Sequence, residues 1–270
     1  MRFLLAFLKS LFRYYPTPIS CKSIDILVNG PSLKQDLETY DRKGKRILVV
    51  NQFVRHESFQ KLKPDYYLIQ DPYFWDETIQ GHWSEKRNIT IQLLNERVNW
   101  EINLILPDKA KNYFETKINN KKIKITYFKE VPLPSYLKKK KTYNYLLRIL
   151  LDFNIISAAN SNVLLTAIYL AIYSKTKEIN IFGADMSFFK TLIVNQRNNY
   201  VGIEEQHFYG NEFFEISLSK HAMVKSTLSD QLSKWANIFK EFERLSHYAS
   251  DKGVKLSNKS SYSLIDSINR

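Results

Sequence analysis

A chain of 270 residues, 44% hydrophobic and 25% charged, has enough apolar mass for one large α/β domain or two small ones. Only 7 glycines, and no GxGxxG or GxxxxGK[ST] run, argue against a glycine-rich phosphate loop; the single cysteine, Cys21, excludes an internal disulfide and a cysteine-built zinc cluster and suits a reducing compartment. A net charge of +13 points to acidic partners: nucleic acid, anionic lipid or phosphorylated ligands.

Residues 1–15 read MRFLLAFLKSLFRYY, with Leu4, Leu5, Leu8, Leu11 and Phe12 at helical spacing and Arg2, Lys9 and Arg13 between them. The stretch is shorter than the about 20 apolar residues that a bilayer span requires, and it lacks the small-residue cleavage site of a signal peptide. The spacing predicts an amphipathic helix, a unit of residues 1–18 closed by Pro16 and Pro18. Three placements suit it: an anionic membrane surface, its own domain, or one half of a homo-oligomer contact.

From Ser23 onward, short apolar runs alternate with helical stretches. A buried strand is predicted at 24–28, followed by Asn29-Gly30-Pro31-Ser32 and a helix from Leu33. Further strands fall at 47–50, ending in Asn51-Gln52, and at 66–69, ending before Asp71-Pro72. Two more are expected at 103–106 and 123–127, with a helix at 108–116 between them. Asn160-Ser161-Asn162 opens a helix over about 162–173, and a strand at 179–182 ends in Gly183-Ala184-Asp185. A long helical stretch over 219–248, stopped by Gly253, leads to a last strand at 254–256. Strands spaced by helices imply right-handed crossovers and a mostly parallel sheet. The expectation is therefore a single α/β domain over residues 19–270, with a lid-like insertion at about 186–218. Lys138 to Lys141 form a lysine run that suits a solvated loop, phospholipid or an acidic glycan. No basic stripe is interleaved with aromatics, so no motif supports nucleic acid as a partner.

Ligands of open parallel sheets bind outside the carboxyl ends of the strands. There the sequence sets Asn29, Gly30, Pro31, Ser32, Asn51, Gln52, Asp71 and Asp185, with Asn160 and Ser161 ahead of the fourth of these strands. Singly, such residues are helix caps and turn formers. As a set, neutral amides and hydroxyls suit the base edge, ribose and phosphate oxygens of a nucleotide. Asp71 can serve as a ribose acceptor, a metal ligand or a cap. His207, in Gln206-His207-Phe208-Tyr209-Gly210, suits a loop over the strand ends, where an imidazole can take a proton from a hydroxyl or simply tie the loop down. His56 and His82 read as surface residues, as do His221 and His247 on the long helical stretch.

These motifs resemble the small bacterial sialyltransferases of glycosyltransferase family 42, which decorate cell-surface lipooligosaccharides. The matching pieces are Ile26-Leu-Val-Asn-Gly-Pro-Ser-Leu33, Val50-Asn-Gln-Phe53, Asp71-Pro72 with Tyr73-Phe74-Trp75, Asn160-Ser161-Asn162-Val163, the run from Ile179 to Asp185, His207-Phe208-Tyr209-Gly210, Val254 to Leu256, and Ser263-Leu264. They run in order from about residue 23 to 268. The resemblance implies a Rossmann-like domain, a CMP-activated keto-acid sugar as donor, a glycan or glycolipid acceptor, and an inverting displacement with no metal or other cofactor. It also implies a cytoplasmic protein, peripheral on the inner face of the cell membrane. Carried over residue by residue, Asn29, Asn51 and Ser161 would contact the nucleotide, and His207 would be the base. Asp71 stands where the family shows Asn. Ser187 and Phe188 replace a tyrosine pair that supports the leaving phosphate, with Tyr200 and Tyr209 as substitutes, and Ala158 replaces an Arg. With those departures the resemblance implies sialic acid, Kdo or a related keto-acid as the sugar. Asn-Gly-Pro-Ser-Leu and Gly-x-Asp are also similar to the hydroxymethylpterin pyrophosphokinase-like group, which would imply Mg-ATP with Asp71 or Asp185 as ligand. A non-catalytic glycan- or membrane-binding relative is the third expectation.

Overall fold

The computed structural model describes residues 17–130, 145–154, 156–157, 162–196, 199–207, 210–215 and 226–270. In chain order, β1 (Ser23–Leu27) is followed by α1 (Leu33–Glu38), β2 (Ile47–Val50), α2 (Ser58–Leu62) and β3 (Tyr66–Leu68). The chain continues through α3 (His82–Arg97), β4 (Ile102–Pro107), α4 (Lys111–Lys117) and β5 (Ile123–Phe128). After them come α5 (Tyr145–Asp152), α6 (Val163–Tyr173) and β6 (Glu178–Phe182). Three further strands, β7 (Leu192–Val194), β8 (Val201–His207) and β9 (Gly210–Glu215), precede the long α7 (Leu228–Asp251) and β10 (Lys255–Asn258).

Seven strands form one sheet in the order β10-β6-β1-β2-β3-β4-β5, and every pairing in it is parallel. This is the expected Rossmann-like architecture. The two-residue period of the strands divides the core into two layers. Ile24, Ile26, Leu48, Val50 and Leu68 face α5, α6 and α7, whereas Leu27, Ile47, Val49, Tyr67 and Leu104 face α1 to α4. Because both faces are covered, the central strands are apolar on both sides and read as continuous runs. Helix α6 is apolar all round for the same reason: every residue from Leu164 to Ile172 is buried. The chain first lays strands outward from β1 to β5 and then places β6 on the other side of β1, so the strand order reverses between β1 and β6.

Three features depart from the sequence expectations. The lid-like segment contains a second sheet, antiparallel in the order β7-β8-β9. Helix α7 begins at Leu228 and not near Ser219, because Thr227 and Asp230 form a capping box that fixes the start. Helix α3 goes unread in the sequence, since its polar run HWSEKRNITIQLLNER buries only scattered positions. The predicted stop of α7 holds: Gly253, at φ +62, turns the chain into β10. No helix among the described residues is long and apolar enough to cross a membrane. The amphipathic segment 1–15 and the lysine run 138–141 lie outside the described residues.

Candidate functional site

Two glycines create the close approach on which the carboxyl edge is built. Gly30 N donates to Gly183 O at 3.0 Å, and a Cβ on Gly30 would sit 2.2 Å from Asp185 Oδ2 and 2.3 Å from Gly183 O. Gly183 has φ +69, and its own Cβ would meet Val28 O at 2.5 Å. A side chain at either position would force the ends of β1 and β6 apart.

Asp185 closes this contact. Its carboxylate accepts from Ser32 N at 3.1 Å and from Ser32 Oγ at 2.6 Å. The Ser32 hydroxyl therefore ties down the turn after β1 and does not cap α1. Asp36, on α1, does matching work: it accepts from Gly183 N and Ser261 N, each at 2.7 Å. The C-terminal serines complete the tie, with Ala184 N donating to Ser260 Oγ at 2.9 Å and Ser263 Oγ donating to Ala184 O at 2.5 Å. Burial pushes the Asp185 carboxyl above its ordinary pKa, and the Ser32 hydrogen bonds partly offset this. Asp185 and Ser32, both named from the sequence as donor contacts, spend these polar atoms on each other. Gly30 and the half-buried Pro31 shape the turn between them.

Beyond this clamp, amides cross-link the strand ends. Asn29 Nδ2 donates to Val50 O at 3.1 Å, joining the end of β1 to that of β2. Asn51, at φ +48 in the left-handed region that Asn tolerates, bridges β2 to β3. Its Oδ1 accepts from Gln70 N at 3.3 Å and its Nδ2 donates to Asp71 Oδ2 at 2.8 Å. Gln52 Nε2 donates to the Tyr73 hydroxyl at 2.8 Å inside the core, so Gln52 is a packing residue. Gln70 Nε2 reaches Glu130 Oε1, after β5, at 3.1 Å. Burial raises the Glu130 carboxyl, opposed by Gln70 and Lys109.

Two acceptors on this edge are left over. Asn29 Oδ1 and Gln70 Oε1 are both buried and meet no donor among the described residues. A buried carbonyl oxygen without a donor costs about 1–3 kcal/mol, which a ligand hydroxyl or amine would recover. Gln70 and Glu130 were not legible from the sequence. The only signal for Gln70 was its place directly before Asp71.

Asn162 caps α6, its Oδ1 accepting from Leu164 N at 2.8 Å, and its Nδ2 lies 3.6 Å from Met186 Sδ. The α6 start therefore meets the end of β6. Asn160, Ser161 and Tyr209 lie outside the described residues, as does His221. Tyr200 is half-buried at the entrance to β8, its carbonyl accepting from Asn195 N at 2.8 Å. His207 ends β8 in register with Gly210, so it belongs to a hairpin and not to an irregular loop. His56, expected on the surface, is half-buried with its ring 5.9 Å from Phe53, and burial lowers its pKa. His82 and His247 are exposed, as expected. The small sheet is pinned at its root, where Phe188 stacks on Trp235 at 5.6 Å and Phe189 meets Phe239 edge-on at 6.0 Å.

The chain matches no protein-family model and no curated protein.

Proposed function

We propose that the chain is an inverting glycosyltransferase, moving a keto-acid sugar from a CMP donor to a cell-surface glycan, with His207 as general base. In this reaction the base takes the proton of an acceptor hydroxyl. The oxygen attacks the anomeric carbon, and the bond from that carbon to the phosphate oxygen breaks, so CMP leaves with the electron pair. Dipoles aimed at that phosphate lower the barrier. The observation that carries the reading is the pair of uncommitted acceptors, Asn29 Oδ1 and Gln70 Oε1, on an edge otherwise cross-linked by amides. They suit ligand donors such as ribose hydroxyls or an exocyclic base amine. The edge adjoins the point where strand order reverses, the usual ligand crevice of such sheets. The motif resemblance supplies the donor class and the role of His207. In the same reading the protein works on the inner face of the membrane, held peripherally through residues 1–15.

The test is a thermal-shift titration with CMP in the presence of a chelator, followed by transfer assays. CMP is expected to raise the melting temperature without magnesium. The His207→Ala variant is expected to lose transfer by at least about 100-fold while keeping the CMP shift. A variant that keeps most of its transfer rate would remove His207 from the role, and stabilisation by Mg-ATP alone would replace the donor.

A further inference from the structure

The other edge of the sheet carries a different chemistry. Lys255, Lys177, Lys22 and Arg46 stand at the starts of four neighbouring strands, β10, β6, β1 and β2, and all four are exposed. The backbone fixes them as a row: Lys255 N donates to Lys177 O at 2.9 Å, Lys177 N to Lys22 O at 2.8 Å, and Asp25 N to Arg46 O at 2.9 Å. At about 4.8 Å per strand the row is about 14 Å long. The loop behind Arg46 extends it, with Arg42, Lys43 and Lys45 around an open depression of about 400 Å³.

Glu178 pairs with Lys255 at 3.6 Å, and two further carboxylates shape the loop behind Arg46, which leaves Lys22 and Lys177 as the uncompensated members of the row among the described residues. Asp65 holds Arg42 at 3.4 Å and Arg46 at 2.5 Å, and also accepts from Ile47 N at 2.9 Å. Buried Asp25 holds Lys45 at 3.7 Å while accepting from the Tyr40 hydroxyl and Asn180. Lys22, Lys43 and Lys177 meet no carboxylate among the described residues. Their charge is free to face a partner.

The chain also enters the domain here. Asn103 Nδ2, in β4, donates to Pro18 O at 2.8 Å, and Ser20 N donates to the Tyr66 hydroxyl, in β3, at 3.0 Å. Pro18 and Ser20 thus lie at the edge that carries the row, and residues 1–15, with their leucines and three cations, precede them in the sequence. A line of cations broader than one phosphate, beside the root of an apolar cationic segment, complements a sheet of phosphates with hydrocarbon beneath it. We infer that the amino-terminal edge of the seven-stranded sheet docks on an anionic bilayer surface, with lipid phosphates as its occupant. This rests on the peripheral-membrane part of the reading above and adds a direction: Asn29 and Asn51, at the opposite edge, point away from the lipid.

The experiment is co-sedimentation of the full chain with phosphatidylcholine vesicles with and without phosphatidylglycerol. It compares wild type with Lys22→Gln/Lys43→Gln/Lys177→Gln, whose ammonium groups meet no carboxylate among the described residues. Each lysine near an anionic surface contributes about fivefold in partitioning, so the triple variant is expected to bind at least tenfold more weakly. Binding should also fall with added salt. Hydrogen exchange of wild type on the vesicles should show protection around residues 42–46 and 175–178 and none around 51–56, which reads the orientation without any variant. Wild type that ignores phosphatidylglycerol would defeat the peripheral reading as well as this one. Wild type that binds while the triple variant binds equally, or protection at 51–56, would overturn the docking edge alone. Preferential displacement from the vesicles by an oligonucleotide or by inorganic phosphate at matched ionic strength would also overturn it.

Discussion

Gly30 leaves no space for a methyl group. The oxygens at 2.2 and 2.3 Å from its missing Cβ belong to Asp185 and Gly183, whose own hydrogen bonds hold the clamp between β1 and β6. Gly30→Ala is expected to cost about 3 kcal/mol and to lower the melting temperature by on the order of 10 °C in calorimetry. Glu130 makes a second prediction at this scale. Burial raises its folded pKa above the ordinary carboxylate value, so the folded protein holds this proton more tightly than the unfolded chain. Its contribution to stability then falls as pH rises through the folded pKa. In Glu130→Gln that loss is absent. The melting temperature of the variant relative to wild type should therefore climb as pH rises from the ordinary carboxylate value through the raised folded pKa. A flat difference would assign Glu130 no net burial penalty. Candidate residues were legible one at a time because an amide or small acid stops each apolar run. Their roles were not. Asp185 and Ser32 are 153 positions apart, and only the placement of β6 beside β1 brings them together.

At the scale of elements, apolar runs made the core strands easy to read, since strands covered on both faces need no polar side. The small sheet hid for the opposite reason. β8 is VGIEEQH and β9 is GNEFFE, so glycines and charges mask any strand pattern. This sheet depends on its root, where Phe188 and Phe189 pack on α7. Removing the indole by Trp235→Ala gives up a stacked pair of about 1 kcal/mol beyond its burial. Amide exchange across Leu192–Val194 is expected to quicken by about tenfold, with the seven-stranded sheet unchanged. Equal rates would show that the root does not hold the sheet.

The whole molecule has two unlike ends, and the sequence announced only one of them. Polar stops after strands drew the eye to the carboxyl edge. Lys255, Lys177, Lys22 and Arg46 are scattered across the chain and become neighbours only in the strand order β10-β6-β1-β2. The +13 charge was legible as a total, but its location needed the fold.

Strand length then sets a working height. β1 has five residues, which at about 3.3 Å each separate the two ends by about 16 Å. A protein standing on its cationic end would reach over the headgroups to whatever rises to that level. Sugars directly next to a lipid anchor would pass beneath it, and only the outer units of a long chain would come within range. The shortness or length of an acceptor would thus be gauged by the span of a β-strand.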